Sequence, residues 1–208
     1  MTEKQIKILN AAIELFSAQG YEATRTSEIA KKAKVAEGTI FRYYKTKKDL
    51  LLAIPDCLAN SPLHQTLLQE LNDIFDGKNQ TLEGFLKSLV LNRQKFASEN
   101  IAILKILLQE VPFHPELREK LSNTLFFPLM NRFVHVIDQF KARGQIVDKP
   151  SPTIVSMIVT TVLGYFFTRY IAMLEFNWDD LYDTDNLIEY IMFGISKEQV
   201  DTSKQTLS

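Results

Sequence analysis

Residues 24–50 read TRTSEIAKKAKVAEGTIFRYYKTKKDL. Two short helical stretches, one ending at Ala33 and one covering about Glu37–Tyr44, stand roughly three residues apart, with Thr26 or Ser27 able to cap the first. Helices joined in this way form a helix-turn-helix, in which the first positions the second in a DNA major groove. The pattern can be tested residue by residue. Ile29, Ala30 and Ala33 on the first helix, Val35 in the turn, and Ile40 with Tyr44 on the second make one inner apolar face. Ala30 suits a close crossing, where a larger side chain would push the helices apart. With Ile40 and Tyr44 inward, roughly 100° per residue sends Gly38, Thr39 and Arg42 to the opposite face.

Each outer residue type suits contact with a duplex. Gly38 lets the backbone approach closely, and the Thr39 hydroxyl reaches a base edge or a phosphate. Arg42 can bond bidentately to guanine O6 and N7, worth about 1–3 kcal/mol of base discrimination. Thr26 and Lys47 stand at helix N-termini, where backbone N–H groups favour an anion. Tyr43 and Lys48 add a hydroxyl and a charge. Glu37 either accepts from cytosine N4 or favours the helix dipole. Between Lys31 and Lys48 there are seven basic residues and one acidic one. The residues expected to meet DNA are Thr26, Val35, Ala36, Glu37, Gly38, Thr39, Phe41, Arg42, Tyr43, Lys47 and Lys48.

Working outward, the same pattern yields helices and no sheet. Thr2-x-x-Gln5 is a capping box before Ile6, Leu9, Ile13 and Phe16, and Gly20 closes that helix. A fourth helix starts near Lys47, with Pro55 able to kink or end it, and Asn60–Pro62 marks a break. Further helices are expected over about 63–75, 81–98, 100–110, 115–143 (kinked at Pro128), 151–174 and 184–195. Ser151-Pro152 is the start signal of the next to last. No run alternates at period two between hairpin turns, so the chain is expected to be all-α.

The block ILNAAIELFSAQGYEATRTSEIAKKAKVAEGTIFRYYKTKKDLL, residues 8–52, resembles the tetracycline-repressor (TetR) family of bacterial one-component transcription regulators. The matching features are Phe16…Gly20-Tyr21, Thr26, Ile29-Ala30, Gly38-Thr39, the aromatic run at 41–44 and Lys47…Leu50-Leu51. Two positions depart from the family pattern: Lys34, where glycine is frequent in the turn, and Ala36, where Ser or Thr often caps the recognition helix. The resemblance implies about nine helices, the last two forming a dimer interface. It divides the chain into a DNA-binding domain, 1–46, and a ligand-sensing and dimerisation domain, 47–208.

Charge follows that division. Residues 1–50 carry ten Lys/Arg against six Asp/Glu, and residues 51–208 carry fourteen against nineteen. The basic quarter faces a polyanion and the acidic remainder a different partner. The remainder holds twelve of the fourteen phenylalanines and the only tryptophan. Phe126, Met130, Phe133, Ile137 and Phe140 form one stripe, widened by Phe127 and Val134, with Tyr165, Phe166, Phe167 and Tyr170 on the next helix. Core packing accounts for such aromatics; a cavity lined by part of them is the sharper reading. The pocket candidates are Arg93, Leu104, Leu108, Phe126, Phe127, Met130, Asn131, Phe133, His135, Tyr165, Phe166 and Arg169, for a hydrophobic or amphipathic ligand. Ile158, Val162, Leu187, Ile188, Ile191, Met192 and Ile195 are the candidate interface between two subunits, Gly164 permitting close approach; packing within one chain is the alternative.

Several classes find no support. One cysteine, Cys57, excludes an internal disulfide framework and fits a reducing compartment. His64, His114 and His135 lie far apart, and the acidic cluster Asp179, Asp180, Asp183 and Asp185 lacks calcium-loop spacing, so no metal and no cofactor is expected. No P-loop, GxGxxG or GxSxG motif is present. The most membrane-like run, Ile154–Thr168, spans roughly 22 Å against a hydrocarbon core of about 30 Å, so the chain is expected in the cytoplasm without a membrane partner. The function expected is a homodimeric regulator of transcription, more a repressor than an activator. It would bind a palindromic double-stranded DNA operator and be released by a small-molecule effector. A helical small-molecule carrier without a DNA role, and an enzyme built on a helical bundle, are the competing classes.

Overall fold

Thr2 opens the first helix as the capping box requires: its hydroxyl accepts from Gln5 N, and the Gln5 side chain accepts from Thr2 N at 2.8 Å. That helix, α1 (Glu3–Gln19), ends at Gly20, whose φ of 87° is open to glycine alone at low cost. The computed structural model describes residues 1–60, 62–77 and 81–195. Along them lie α2 (Thr26–Ala33), α3 (Glu37–Tyr43), α4 (Lys47–Asn60), α5 (Pro62–Asp76), α6 (Leu82–Glu99), α7 (Ile101–Glu110), α8 (Pro115–Leu121), α9 (Phe127–Ala142), α10 (Ser151–Phe167) and α11 (Asp180–Ile195). Two π-helical turns, Ser122–Phe126 and Thr168–Ala172, stand before α9 and after α10. The fold is all-α, with no β-strand among the described residues. The side chains of Cys57 and His64, and Ser61 within the expected break, lie outside the described residues.

The single helix expected over 115–143 is therefore three pieces. A π turn holds more residues than an α turn, so the α-helical side-chain repeat is broken at Ser122–Phe126. Pro128 then sits in the first turn of α9, where its missing N–H is harmless. Ser151 does not cap α10 but forms its first residue, and its hydroxyl donates to Asp138 on α9 at 2.5 Å.

The chain divides into two compact units, and the division is not the one at residue 46. The first unit comprises residues 1–66 and 99–124, the second 67–98 and 125–208. In the first, α1 packs on α2, α4 and α7, and α8 lies against α4. The reason is that α4 turns its buried Leu50, Leu51 and Ile54 inward, so it belongs to the same body as the helices before it. Lys48 pairs with Glu116 at 2.5 Å, and Lys120 reaches both the Leu52 carbonyl and the Asp56 carboxylate at 2.8 Å.

The second unit has one core. Leu71 and Phe75 of α5, Phe85, Leu86 and Leu89 of α6, Phe133, Ile137 and Phe140 of α9, Ile154, Val155 and Ile158 of α10, and Leu187, Ile188, Ile191 and Ile195 of α11 fill it. The Phe75, Phe85 and Phe133 rings meet edge to face at 5.5–6.0 Å. With its π turn, α10 is continuous over Ser151–Ala172, 22 residues or roughly 33 Å, long and apolar enough to cross a membrane by length and composition. The length argument against a membrane thus gives way. The inner residues of α10 are nevertheless committed to the protein core.

Candidate nucleic-acid interface

The helix-turn-helix is built by backbone bonds that its sequence makes possible. Neither Thr26 nor Ser27 caps α2; Arg25 stands at that position and carries no side-chain cap. Instead the Glu28 carboxylate reaches back to Arg25 N at 2.9 Å, and that bond, with a second from Gln19, holds it below the usual carboxylate range. At the other end Lys34 takes the left-handed conformation, φ 55° and ψ 45°, and Val35 N closes the turn on the Ala30 carbonyl at 3.0 Å. The inner face forms as the spacing predicts: Ile29, Ala30, Ala33, Ile40 and Tyr44 are buried and Val35 is half-buried.

Lys34 stores strain that glycine would release. A left-handed non-glycine residue costs about 1–2 kcal/mol, and glycine returns part of that gain to the unfolded chain. Lys34→Gly is expected to stabilise the protein by about 0.5–1 kcal/mol, read as a higher urea midpoint at unchanged slope. A lower midpoint would contradict it.

The recognition helix α3 turns Gly38 and Arg42 to solvent, with Phe41 45% exposed and Thr39 and Tyr43 half-buried. Nothing lies within 4 Å of where a Cβ on Gly38 would sit, so the backbone there is open to close approach. Arg42 stacks 5.0 Å from the Tyr43 ring centre and donates to its hydroxyl at 3.2 Å, which holds that phenol below its ordinary range. Thr26 donates to Glu37 at 2.6 Å, so two of the expected contacts pin the start of α3 to the start of α2. Ala36, before α3, makes no side-chain cap.

The Lys47 ammonium donates to the carbonyls of Tyr21, Glu22 and Thr24 at 2.9, 3.2 and 3.3 Å, and lies 4.3 Å from the Tyr21 ring centre. All three protons are thus directed to the α1–α2 loop within the chain. Sequence reasoning misses the start of α1. The Tyr43 phenol is held low by Arg42 first and then by Thr2 and the Lys4 charge, which sets the start of α1 near the recognition helix. Some forty residues separate them along the chain, and no local signal joins them.

The model of the bacterial regulatory proteins of the tetR family matches residues 8–54, which hold this helix-turn-helix. Over this segment the chain is similar to the DNA-binding part of the tetR family. The fatty acid metabolism regulator protein of Bacillus subtilis (strain 168) is 43% identical over 51 residues, 24% of this chain and 26% of that protein. At such identities the chain spans about a quarter of the length of the curated relatives it matches. The nucleoid occlusion factor SlmA of Haemophilus ducreyi is 26% identical over 166 residues, 79% of each chain. The solved structure of the transcriptional regulator FadR from Bacillus subtilis in complex with stearoyl-CoA superposes with a TM-score of 0.71 at 22% identity, covering 91% of this chain and 98% of that one.

In the second unit the residues expected to line a pocket do not converge. Phe133 is core, while Met130, Tyr165 and Phe166 pack half-buried against it. Phe126, the last residue of the π turn, and Phe127, the first of α9, are exposed at 47% and 54%. Asn131 and His135 are on the surface, and His135 shares a bond with Gln139. Arg169 is engaged by the Tyr165 hydroxyl and by Asp180. Leu104, half-buried, and Leu108, exposed, belong to the first unit. A depression of about 370 Å³ in the second unit is lined instead by Glu83, Lys87, Asp185, Ile188, Glu189 and Met192.

The residues expected at a subunit interface pack within the chain. Ile158, Leu187, Ile188, Ile191 and Ile195 are buried in their own chain, and Val162 and Met192 pack against that core. The opposite faces are the exposed ones: Met157, Leu163, Gly164 and Phe167 on α10, and Tyr190 and Phe193 on α11. No atom lies within 4 Å of a Cβ placed on Gly164, so the approach it permits is to something outside the chain.

Proposed function

We propose that the protein is a cytoplasmic, ligand-responsive regulator of transcription, acting as a repressor. It binds a palindromic operator as a homodimer and is released by a hydrophobic or amphipathic small molecule. The observation that carries this reading is the recognition helix. Its inner residues Ile40 and Tyr44 are locked in the core while Gly38, Phe41 and Arg42 are presented outward. Two such helices in a dimer would enter successive major grooves roughly 34–36 Å apart. The exposed α10–α11 face supports the dimer. The relatives support the effector class: one is a fatty acid metabolism regulator, and a structural relative holds stearoyl-CoA.

Selection of bound sites from a random duplex library at about 150 mM salt, where non-specific affinity is weak, tests the DNA reading. Recovery of an inverted repeat supports it; recovery of nothing above background leaves the carrier reading standing. Effector and operator must then weaken each other by the same factor, so equal effector affinity with and without operator would exclude the release mechanism.

With the operator in hand, Arg42→Ala is expected to cost about 1–3 kcal/mol of operator affinity and to relax preference at one base position. Competition among single-base operator variants checks this. Unchanged preference at every position would mean that Arg42 does not read a base.

A further inference from the structure

One cation of the second unit is held in place without a counter-charge. Arg93 lies on α6, half-buried, with its guanidinium 5.0 Å from the Phe96 ring centre. Nε and Nη2 both donate to Asn92 Oδ1, at 3.0 and 2.5 Å. Asn92 is itself buried, and its amide nitrogen is fixed by the Leu67 carbonyl at 3.2 Å and Glu70 Oε2 at 3.1 Å. A buried amide, anchored from α5, therefore aims the guanidinium, and an aromatic ring backs it.

Among the described residues no carboxylate comes within ion-pair distance of Arg93, and its remaining N–H donors meet no protein acceptor. Two other arginines of the second unit contrast with it: Arg132 pairs with Asp76, and Arg169 with Asp180. Desolvation alone lowers the Arg93 group to about 10, with no neighbouring charge opposing it. Burying part of a guanidinium without an anion is unfavourable, and an anion brought to it regains that loss. Phe96, half-buried, lies three residues on from Arg93 along the same face of α6, so apolar carbon adjoins the charge.

We propose that Arg93 binds the oxyanion head, carboxylate or phosphate, of an amphipathic effector whose apolar tail runs along the Phe96 side of α6. The proposal rests on the ligand-responsive reading above and adds the head-group chemistry to it. The guanidinium's planar fork matches either oxyanion bidentately, while Asn92 holds it ready.

Calorimetric titration of the full-length protein without DNA tests this, using dodecanoate, dodecyl phosphate and dodecanol below their micellar concentrations. The wild type is expected to bind at least one of the two anions about ten- to a hundredfold more tightly than the alcohol, the range of a charge-assisted pair. Which anion is preferred identifies the source of the head group. Arg93→Met is expected to abolish that preference while leaving dodecanol affinity unchanged, and Arg93→Lys to retain part of it. A merely structural arginine would weaken all three amphiphiles together, and that outcome overturns the proposal. So does a preference for anions that survives in Arg93→Met. Binding of none of the three overturns the ligand-responsive reading itself, whereas equal wild-type binding of all three overturns only the role of Arg93.

Discussion

Phe193→Glu is expected to leave the protein folded but monomeric, and to lower its affinity for a two-half-site operator by about 10²–10⁴-fold while sparing affinity for a single half-site. The size comes from what the proposed dimer would do. Once one recognition helix is bound, the second half-site is met at an effective concentration set by the tether between subunits. Losing the tether loses that factor and nothing else. Phe193 is the position to change because it is 69% exposed in the single chain, so a carboxylate there remains hydrated in the monomer. In a helix-to-helix interface the same carboxylate would be buried without a partner, which costs several kcal/mol. The surrounding surface is of the right kind. Only 17% of the most apolar window of the Ser151–Ala172 helix is buried, and Met157, Leu163, Phe167 and Tyr190 stand open beside it. Fully burying such side chains is worth about 1.5–3 kcal/mol each, and one chain leaves that unrealised. Analytical ultracentrifugation and titration of full and half operators check both parts. A dimeric Phe193→Glu protein with undiminished operator affinity would show that the subunits meet elsewhere.

Ile191 illustrates how the strongest apolar stripe of a helix is taken up by its own chain. The stripe Leu187, Ile188, Ile191, Met192 and Ile195 is the most apolar of α11, and on that ground it is expected to face a second subunit. It packs into the core of its own chain instead, because the strongest apolar stripe of a helix is claimed by that core first. What it leaves exposed is the second-best face, with Tyr190 and Phe193. α10 gives no help, being apolar on nearly every side, so periodicity cannot say which side turns inward. The helix-turn-helix is legible for the opposite reason. Its inner contacts, from Ile29 to Ile40 and Tyr44, close within sixteen residues, and both helices are short enough for one face to be in and one out. The π turn at Ser122–Phe126 is not legible, since no residue type compels one.

Lys47 marks the same boundary between local and distant information, and it carries the second large expected effect. From sequence it stands at a helix N-terminus beside a basic run, so a phosphate is its natural partner. In the fold, its three protons meet three carbonyls of a loop more than twenty residues earlier. That loop joins α1 to α2 and is otherwise closed by Thr24, whose hydroxyl donates to the Gly20 carbonyl at 2.7 Å. Lys47→Met keeps the aliphatic stem but leaves those carbonyls without the ammonium and Tyr21 without its cation. The expected destabilisation is about 2–4 kcal/mol, the range for hydrogen bonds to a charged group and for acceptors left unmet at a partly buried site. Lys47→Arg is not expected to rescue it, since a planar fork cannot place three donors where a tetrahedral ammonium does. The two roles separate in one pair of measurements. A phosphate-binding lysine would flatten the salt dependence of operator affinity by about 0.9 in the log–log slope and leave the unfolding midpoint alone. A loop-closing lysine moves the midpoint and leaves the slope alone, and this second pattern is the one the three carbonyl bonds require.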